Sequence, residues 1–498
     1  MFYKTIHKIF SFLPRGRGAN RVRDKELLTN RQITLVMCPC WGIQMPYLGQ
    51  AYLSQFIKNL GADVYTLDLN ISVYRRVSER YRYLWENRFS QQWVDPKSMR
   101  ELIHNELAGQ VDFCTRAVLQ TPSQIIGFSV YQTNRLFSIR VIDEIKKHDP
   151  SRVIIVGGRG CASESERSLF NKDLVYAFVI GEGEEILAEG LSRNGDFSNI
   201  PGVIIPEISC RPETVKPKPI DVNSMPFPTF SEFDLNNYTE KTLPVISSRG
   251  CIGKCTFCDD HLSSGKYRYR KAELIVQELR WHVKRNKITH FWFNDLLING
   301  NIGNLEKLCD LIIKERMQIR WIALAIIRHD TTLELLNKMR KAGCYTINYG
   351  VESGSDSILK KMGALYTVKD TERILELTRK ARINTQLNFI VGFPGETESE
   401  FIETLEFIER NREWICGITN LNRCMIVENS PLGKNPDIFG AMPEPGWEPV
   451  DGRFSTVDGT SFEERAERLN RAIVFIKTLG LSIWSTNMPS TESSQKIS

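Results

Sequence analysis

The chain lacks any run of roughly 18 consecutive apolar residues, the length a membrane-spanning helix requires, so no span is expected among its 498 residues. A secretory signal is missing as well. The opening Met-Phe-Tyr-Lys-Thr-Ile-His-Lys-Ile-Phe has too short an apolar stretch, and no small-residue cleavage site accompanies it. A cytoplasmic location is therefore expected. Cysteine is sparse, 12 in 498 residues, which excludes a disulfide-built scaffold and fits a reducing compartment. Most of the chain also lacks a surplus of either charge. The net charge of +6 comes from residues 1–31, which hold eight Lys/Arg and two Asp/Glu; taking these from totals of 65 and 59 leaves 57 of each sign. Such balance excludes the broad basic field of a nucleic-acid binder, so no nucleic-acid partner is expected. The basic leader, residues 1–31, reads as a solvated flexible tail, with contact to an anionic membrane surface as the alternative.

What the chain does have is alternation. Its length calls for two or three domains. Residues 32–205 alternate strands and helices: Gln-Ile-Thr-Leu-Val-Met-Cys as a buried strand, Tyr47 to Leu60 as a helix closed by Gly61, and Asp63 to Leu69 as the next strand. A polar, aromatic-rich helical insertion at 71–120 carries Trp85 and Trp93. Strands are expected again at Gln124 to Val130, Arg152 to Val156 and Val175 to Ile180, with a helix from Leu136 to His148. The pattern predicts an α/β fold, a Rossmann-like doubly wound domain with ligands beyond the carboxyl ends of its strands. Residues 206–242, rich in proline, read as a linker. From 243 the alternation restarts, with strands near 243–248, 288–294, 319–326, 344–350, 383–391 and 417–424. Six such units predict a partial (β/α)6 barrel over 243–432, its chemistry at the carboxyl-end loops. Residues 433–498 form a carboxyl-terminal segment with one helix near 461–479 and a polar, disordered tail.

Directly after the first of these strands stands Arg-Gly-Cys-Ile-Gly-Lys-Cys-Thr-Phe-Cys, with Cys251, Cys255 and Cys258. A four-iron cluster takes four cysteines; three thiolates on one loop would leave one iron open to another ligand. The competing reading is a zinc knot, in which His261 completes a Cys3His tetrahedron. Lys254 between the cysteines reads as a solvated loop charge.

Three later strand ends also carry glycine, carboxylate or amide groups: Phe293-Asn294-Asp295, Tyr349-Gly350-Val351-Glu352-Ser353-Gly354-Ser355, and Val391-Gly392-Phe393-Pro394-Gly395-Glu396-Thr397. Each alone could be a turn and helix cap, with Ser355 or Thr397 as N-cap. In order behind the cysteine loop they resemble the elements of the radical S-adenosylmethionine (SAM) barrel. That resemblance covers residues 243–432, including Ser430-Pro431-Leu432 at the barrel's end. It implies a [4Fe-4S] cluster on Cys251, Cys255 and Cys258, with the open iron chelating SAM. By the same resemblance Asn294 and Asp295 lie near the methionine moiety, Glu352 and Ser353 contact the methionine or ribose end, and Val391, Gly392 and Pro394 back the adenine.

The amino-terminal domain looks like the cobalamin-binding domain that precedes this barrel in one branch of the family. The matching elements are Trp41-Gly42, Pro46-Tyr47-Leu48-Gly49, Ser129-Val130-Tyr131, Gly157-Gly158 and Gly181-Glu182-Gly183-Glu184. The usual Asp-x-His-x-x-Gly loop is absent: the first strand ends in Cys38-Pro39-Cys40-Trp41-Gly42-Ile43. Any cobalamin would be held without an axial histidine. Cys38 and Cys40 read either as redox-active or cobalt-adjacent, or as small apolar fillers of a core strand.

The resemblance implies reductive cleavage of SAM, hydrogen abstraction by a 5′-deoxyadenosyl radical from an unactivated carbon, and methyl transfer from cobalamin to a small-molecule or natural-product substrate. It also implies an electron donor such as flavodoxin or ferredoxin. Two alternatives stay open: a cyclisation or rearrangement on the same cofactors without methyl transfer, and a non-catalytic cobalamin-binding protein with a structural metal. No individual catalytic side chain is singled out.

Overall fold

The computed structural model describes residues 27–206, 219–260, 264–443, 454–457 and 460–487. The chain divides into two compact units, Met1–Glu86 with Gln92–Lys241, and Asn87–Gln91 with Thr242–Ser498. Most of the basic leader, His261, Trp447 and the polar tail from residue 488 lie outside the described residues.

The first unit is built on a six-stranded sheet. In sheet order its strands are Asp63–Asp68, Gln32–Met37, Ile125–Ser129, Val153–Gly157, Ala177–Val179 and Val203–Ile204. All pairings are parallel except the last. Ile33, Val36, Ile126, Phe128, Ile154 and Val156 are almost wholly shielded from solvent, as near-continuous apolar runs in a parallel sheet should be. The chain order reverses direction across the sheet between Gln32–Met37 and Ile125–Ser129. That switch point is where open α/β sheets form a ligand crevice.

The insertion is helical, with Leu69–Arg76, Pro96–Leu102 and Ala108–Leu119 as its main helices. Trp85 and Trp93 pack edge to face at 5.2 Å inside the core. They are part of the core that supports the sheet. Residues 219–241 hold to the same unit as an irregular strap instead of running free as a connector. Ile220, Phe230 and Tyr238 are buried, Thr229 bonds Gln55, and the Tyr238 hydroxyl donates to Asp68 at 2.6 Å. Proline hides this strap from any periodicity argument without removing its apolar anchors.

The second unit holds a seven-stranded parallel sheet, in the order Ile483–Ser485, Gly417–Arg423, Asn384–Val391, Cys344–Glu352, Arg320–Ile326, His290–Phe293 and Thr242–Val245. Six strands follow the expected order, and the partial barrel is extended by a seventh, Ile483–Ser485, at one edge. The intervening helices are cut by side-chain caps. Asn301, Thr332, Thr367, Thr397 and Ser461 each accept a bond from the first turn, satisfying backbone donors that a helix start leaves open. Ser355 precedes its helix without making such a bond. The helix Phe462–Thr478 closes the carboxyl-terminal segment onto this unit. Arg471 lies over the Phe401 ring, and Arg468 reaches Glu396.

Candidate functional site

The cysteine loop begins where the strand Thr242–Val245 runs out. Ser248–Arg249 pairs antiparallel with Arg268–Tyr269, so the cysteines sit in a loop closed at its base by a two-residue ribbon. Gly250 has φ +80°, and a Cβ there would meet the carbonyl oxygens of Gly265 and Lys266 at 2.8 and 2.9 Å. Only glycine lets the ribbon close. Behind it, the buried Arg270 donates to the Ile246 carbonyl at 2.8 Å and pairs with the buried Glu278.

Within the loop, the Gly253 N–H donates to Cys251 Sγ at 3.2 Å and the Asp260 N–H to Cys258 Sγ at 3.4 Å. A Cβ on Gly253 would lie 3.4 Å from Cys251 Sγ and 3.7 Å from Cys255 Sγ. Burial raises all three thiols, Cys255 to about 12, with the charges of Glu352 and Cys251 adding to the effect. A metal bound here would displace protons from them. Cys251, Cys255 and Cys258 are only half-buried, whereas Cys38, Cys40, Cys114, Cys161, Cys309, Cys344 and Cys424 are buried. Burial pushes the Cys38 thiol up to about 12 and raises Cys40 too, so these two behave as apolar fillers. The donor set, three clustered thiols with main-chain N–H groups aimed at sulfur, fits an iron–sulfur cluster. The zinc reading's fourth donor, His261, lies outside the described residues. Thr256 fixes the loop from two sides: its N–H donates to the Met362 carbonyl, and its carbonyl accepts from the Leu432 N–H.

The other sequence-picked residues of this unit have distinct environments. Asn294 is exposed, whereas Asp295 is buried and accepts from the Ser247 and Ser248 N–H groups at 2.7 and 2.6 Å and from both hydroxyls. Asp295 therefore holds the start of the cysteine loop and has little capacity left for a ligand. Glu352 has φ +66°, unusual for a residue with a side chain. Its carboxyl is pushed up to about 8 by burial. Ser353 is buried and paired with the Thr404 hydroxyl. Val391, Gly392 and Pro394 are buried. The Gly392 N–H donates to Glu396 at 2.6 Å, and the Val391 carbonyl accepts from Cys424. Of these groups, Asn294 and Glu352 are the ones left open to a ligand.

In the first unit, Trp41 follows the first strand and Tyr131 the third, so the two flank the switch point. Their rings lie 4.2 Å apart at 34°, Tyr47 stands edge-on to both, and the Tyr47 and Tyr131 hydroxyls are 3.0 Å apart. All three are half-buried and Gly42 is exposed. Asn70, which no sequence motif marks, holds this loop: it accepts from the Trp41 N–H and from Trp85 Nε1, and donates toward the Trp41 and Gly42 carbonyls. Gly158 has φ +106°, and a Cβ there would lie 2.4 Å from the Val130 carbonyl. The missing side chain admits the backbone of the loop after the third strand. Ser129 is buried, with its carbonyl bonded to Asn134. Gly157 is half-buried, Gly181 is exposed with φ +90°, and Glu182 accepts from the Ile220 N–H at 2.9 Å, which fastens the strap. A half-buried aromatic wall at a switch point fits a large planar ligand such as a corrin.

These features define a parallel α/β partial barrel with a three-thiol loop, preceded by a Rossmann-like α/β domain. The sequence profile of the radical SAM superfamily matches residues 245–408: the chain carries a radical SAM domain, whose cofactors are a [4Fe-4S] cluster and SAM. Among curated relatives, the uncharacterized methyltransferase PH0819 of Pyrococcus horikoshii is 27% identical over 296 residues, which is 57% of this chain and 64% of that protein. The chain thus spans slightly less than two thirds of that relative. Among solved structures, the cobalamin-dependent SAM radical enzyme OxsB, with aqua-cobalamin and SAM bound, superposes with a TM-score of 0.68 at 18% identity. The match covers 91% of this chain and 67% of OxsB. The radical SAM methyltransferase TsrM from Kitasatospora setae, with cobalamin and a [4Fe-4S] cluster bound, gives 0.64 at 18% identity, over 84% of this chain and 80% of TsrM. At such identities the likeness is one of fold. Among the described residues no helix is long and apolar enough to cross a membrane.

Proposed function

We propose that this chain is a cytoplasmic, cobalamin-dependent radical SAM methyltransferase acting on an unactivated carbon of a small-molecule or natural-product substrate. The observation that carries the reading is the loop of three half-buried thiols in a domain of the radical SAM superfamily, joined through the segment 362–366 to the strand end that bears Glu352. Cys251, Cys255 and Cys258 would hold the cluster. Glu352 would bind the methionine end of SAM, with Asn294 beside it and Asp295 fixing the loop between. In the first unit, Trp41, Tyr47 and Tyr131 would wall the cobalamin site. The fold of OxsB and TsrM, both solved with cobalamin, supports that assignment.

Bound together, these cofactors supply one-electron cleavage of SAM and a transferable methyl group. The protein's own part is binding, orientation and exclusion of water. Asp295, Arg270 and Thr256 keep the thiol loop in register. Glu352, desolvated and without a fixed protein donor among the described residues, is available to a cationic amino group. The electron would come from a small donor protein such as flavodoxin or ferredoxin.

The test is anaerobic reconstitution with iron, sulfide and cobalamin, followed by turnover with SAM and candidate substrates. A methylated product with S-adenosylhomocysteine supports methyl transfer. SAM cleavage with a cyclised or rearranged product and no S-adenosylhomocysteine would replace it with the rearrangement reading. No SAM cleavage under strong reductant would overturn the enzymatic reading.

A further inference from the structure

The strand Cys344–Glu352 does not end regularly. Against its neighbour Asn384–Val391, Gly350 pairs with Asn388 and Glu352 with Phe389, so Val351 is an extra residue and the strand bulges at the point where Glu352 leaves it. A bulge re-aims the side chain that follows it. The pairing with Arg320–Ile326 on the other side stops at Gly350. The carbonyls of Gly350 and Val351 thus lie beyond that ladder, and one side chain meets both: the Tyr366 hydroxyl sits 3.1 Å from each. The Val351 carbonyl also accepts from the Ser353 N–H at 2.8 Å.

Two further observations point to the same group. Glu352 has φ +66°, a conformation that persists in a non-glycine residue only where its surroundings impose it, and such residues gather at functional sites. Its carboxyl also folds back over Gly350: a Cβ built there would lie 2.6 Å from Glu352 Oε1, and Glu352 is the only residue it would approach within 4 Å. Gly350 therefore leaves room for one thing, the Glu352 carboxyl.

Tyr366 belongs to the segment that also touches the cysteine loop. The Met362 carbonyl accepts from Thr256, and a Cβ at Gly363 would lie 3.2 Å from the Lys254 carbonyl. One short stretch of chain, 362–366, is thereby in contact with the thiol loop at one end and with the Glu352 bulge at the other. Tyr366 is neutral, since burial, then Glu352, then Cys255 all raise its hydroxyl, and so it stays a hydrogen-bond donor.

We propose that Tyr366 is a positioning residue for SAM binding: its hydroxyl pins the Gly350–Val351 bulge, aims Glu352, and ties that aim to the position of the cysteine loop. This rests on Glu352 as the SAM contact, and the experiment separates the two claims. Reconstituted full-length protein would be titrated with SAM, following the change in the reduced cluster's electron paramagnetic resonance spectrum, for wild type, Glu352→Ala, Tyr366→Phe, Gly350→Ala and the double variant Tyr366→Phe/Glu352→Ala. Tyr366→Phe should keep wild-type iron and sulfide content and bind SAM about five- to tenfold more weakly, the effect of one hydrogen bond acting through another group. Gly350→Ala, which crowds only the Glu352 carboxyl, should weaken SAM binding in the same range. The double variant should bind no more weakly than Glu352→Ala, because Tyr366 acts only through Glu352. Wild-type affinity in Tyr366→Phe, with Glu352→Ala impaired, overturns the inference and leaves Glu352 as the contact, whatever Gly350→Ala does. Additive losses in the double variant overturn it as well. Wild-type affinity in Glu352→Ala removes the reading beneath it. Loss of the cluster in Tyr366→Phe contradicts the expected iron and sulfide content and overturns the inference too, since Tyr366 would then hold the thiol loop and not the aim of Glu352.

Discussion

Both carboxylate oxygens of Asp295 are bonded to Ser247 and Ser248, the residues that lead from the first barrel strand into the cysteine loop. A carboxylate just past the end of the second strand thus sets where the first strand's loop departs. Asp295→Ala would strand two buried main-chain N–H groups, each costing about 1–3 kcal/mol. The expected outcome is a lower thermal midpoint together with iron content well below wild type after reconstitution. Unchanged iron content would show that the loop holds itself.

The cluster assignment is tested by composition. Anaerobically reconstituted protein should be brown, with roughly four iron and four sulfide per chain. Replacing Cys251, Cys255 and Cys258 together by alanine should abolish colour and sulfide, while Cys38→Ala and Cys40→Ala should leave both intact because those thiols are buried in the other unit. A colourless wild type with one zinc and no sulfide would restore the zinc reading.

Sequence made the regular elements and the thiol loop legible. The strands expected at 319–326 and 383–391 are Arg320–Ile326 and Asn384–Val391, since alternating burial over seven or eight residues leaves a clear trace. Ile483–Ser485 was not legible: three residues carry no period, and its Trp484 is exposed. The strap at 219–241 escaped because its anchors follow no repeat. At the site, sequence marks which strand ends carry polar groups, but not which groups are already engaged. Asp295 and Glu352 look alike as letters. One is saturated by Ser247 and Ser248, and the other stands on a bulge that no local pattern announces. Asn70 and Tyr366 act through main-chain atoms of distant loops and leave no motif.

The first unit offers a spectroscopic test. Its histidines among residues 32–205 are His104 and His148, both exposed on helices away from the switch point. Bound cob(II)alamin should therefore give a base-off spectrum without strong nitrogen splitting from the protein. Strong splitting that persists when the cofactor's own base is removed would mean a protein nitrogen reaches the cobalt. Trp41→Ala should weaken cobalamin binding, read by quenching of the remaining tryptophan fluorescence.

Glu396 gives a pH dependence with a definite sign. Its carboxyl is buried beside the Gly392 N–H, with Arg468 at 3.7 Å, and burial pushes it up to about 7 despite both partners. Its folded value is above its ordinary value of 4.5. Between those two values the folded chain binds more protons than the unfolded one, so stability falls as pH rises from about 4.5 to about 7. A shift of that size corresponds to roughly 3–4 kcal/mol. Glu396→Gln keeps an oxygen for the Gly392 N–H and removes the titration. The variant's melting transition for the barrel unit should change less between pH 5 and pH 8 than the wild type's, the two lying close at the acid end and diverging toward the alkaline end with the wild type the lower. Identical pH profiles would mean that Arg468 keeps Glu396 charged throughout, so that the ion pair and not the buried acid fixes the loop after the fifth barrel strand.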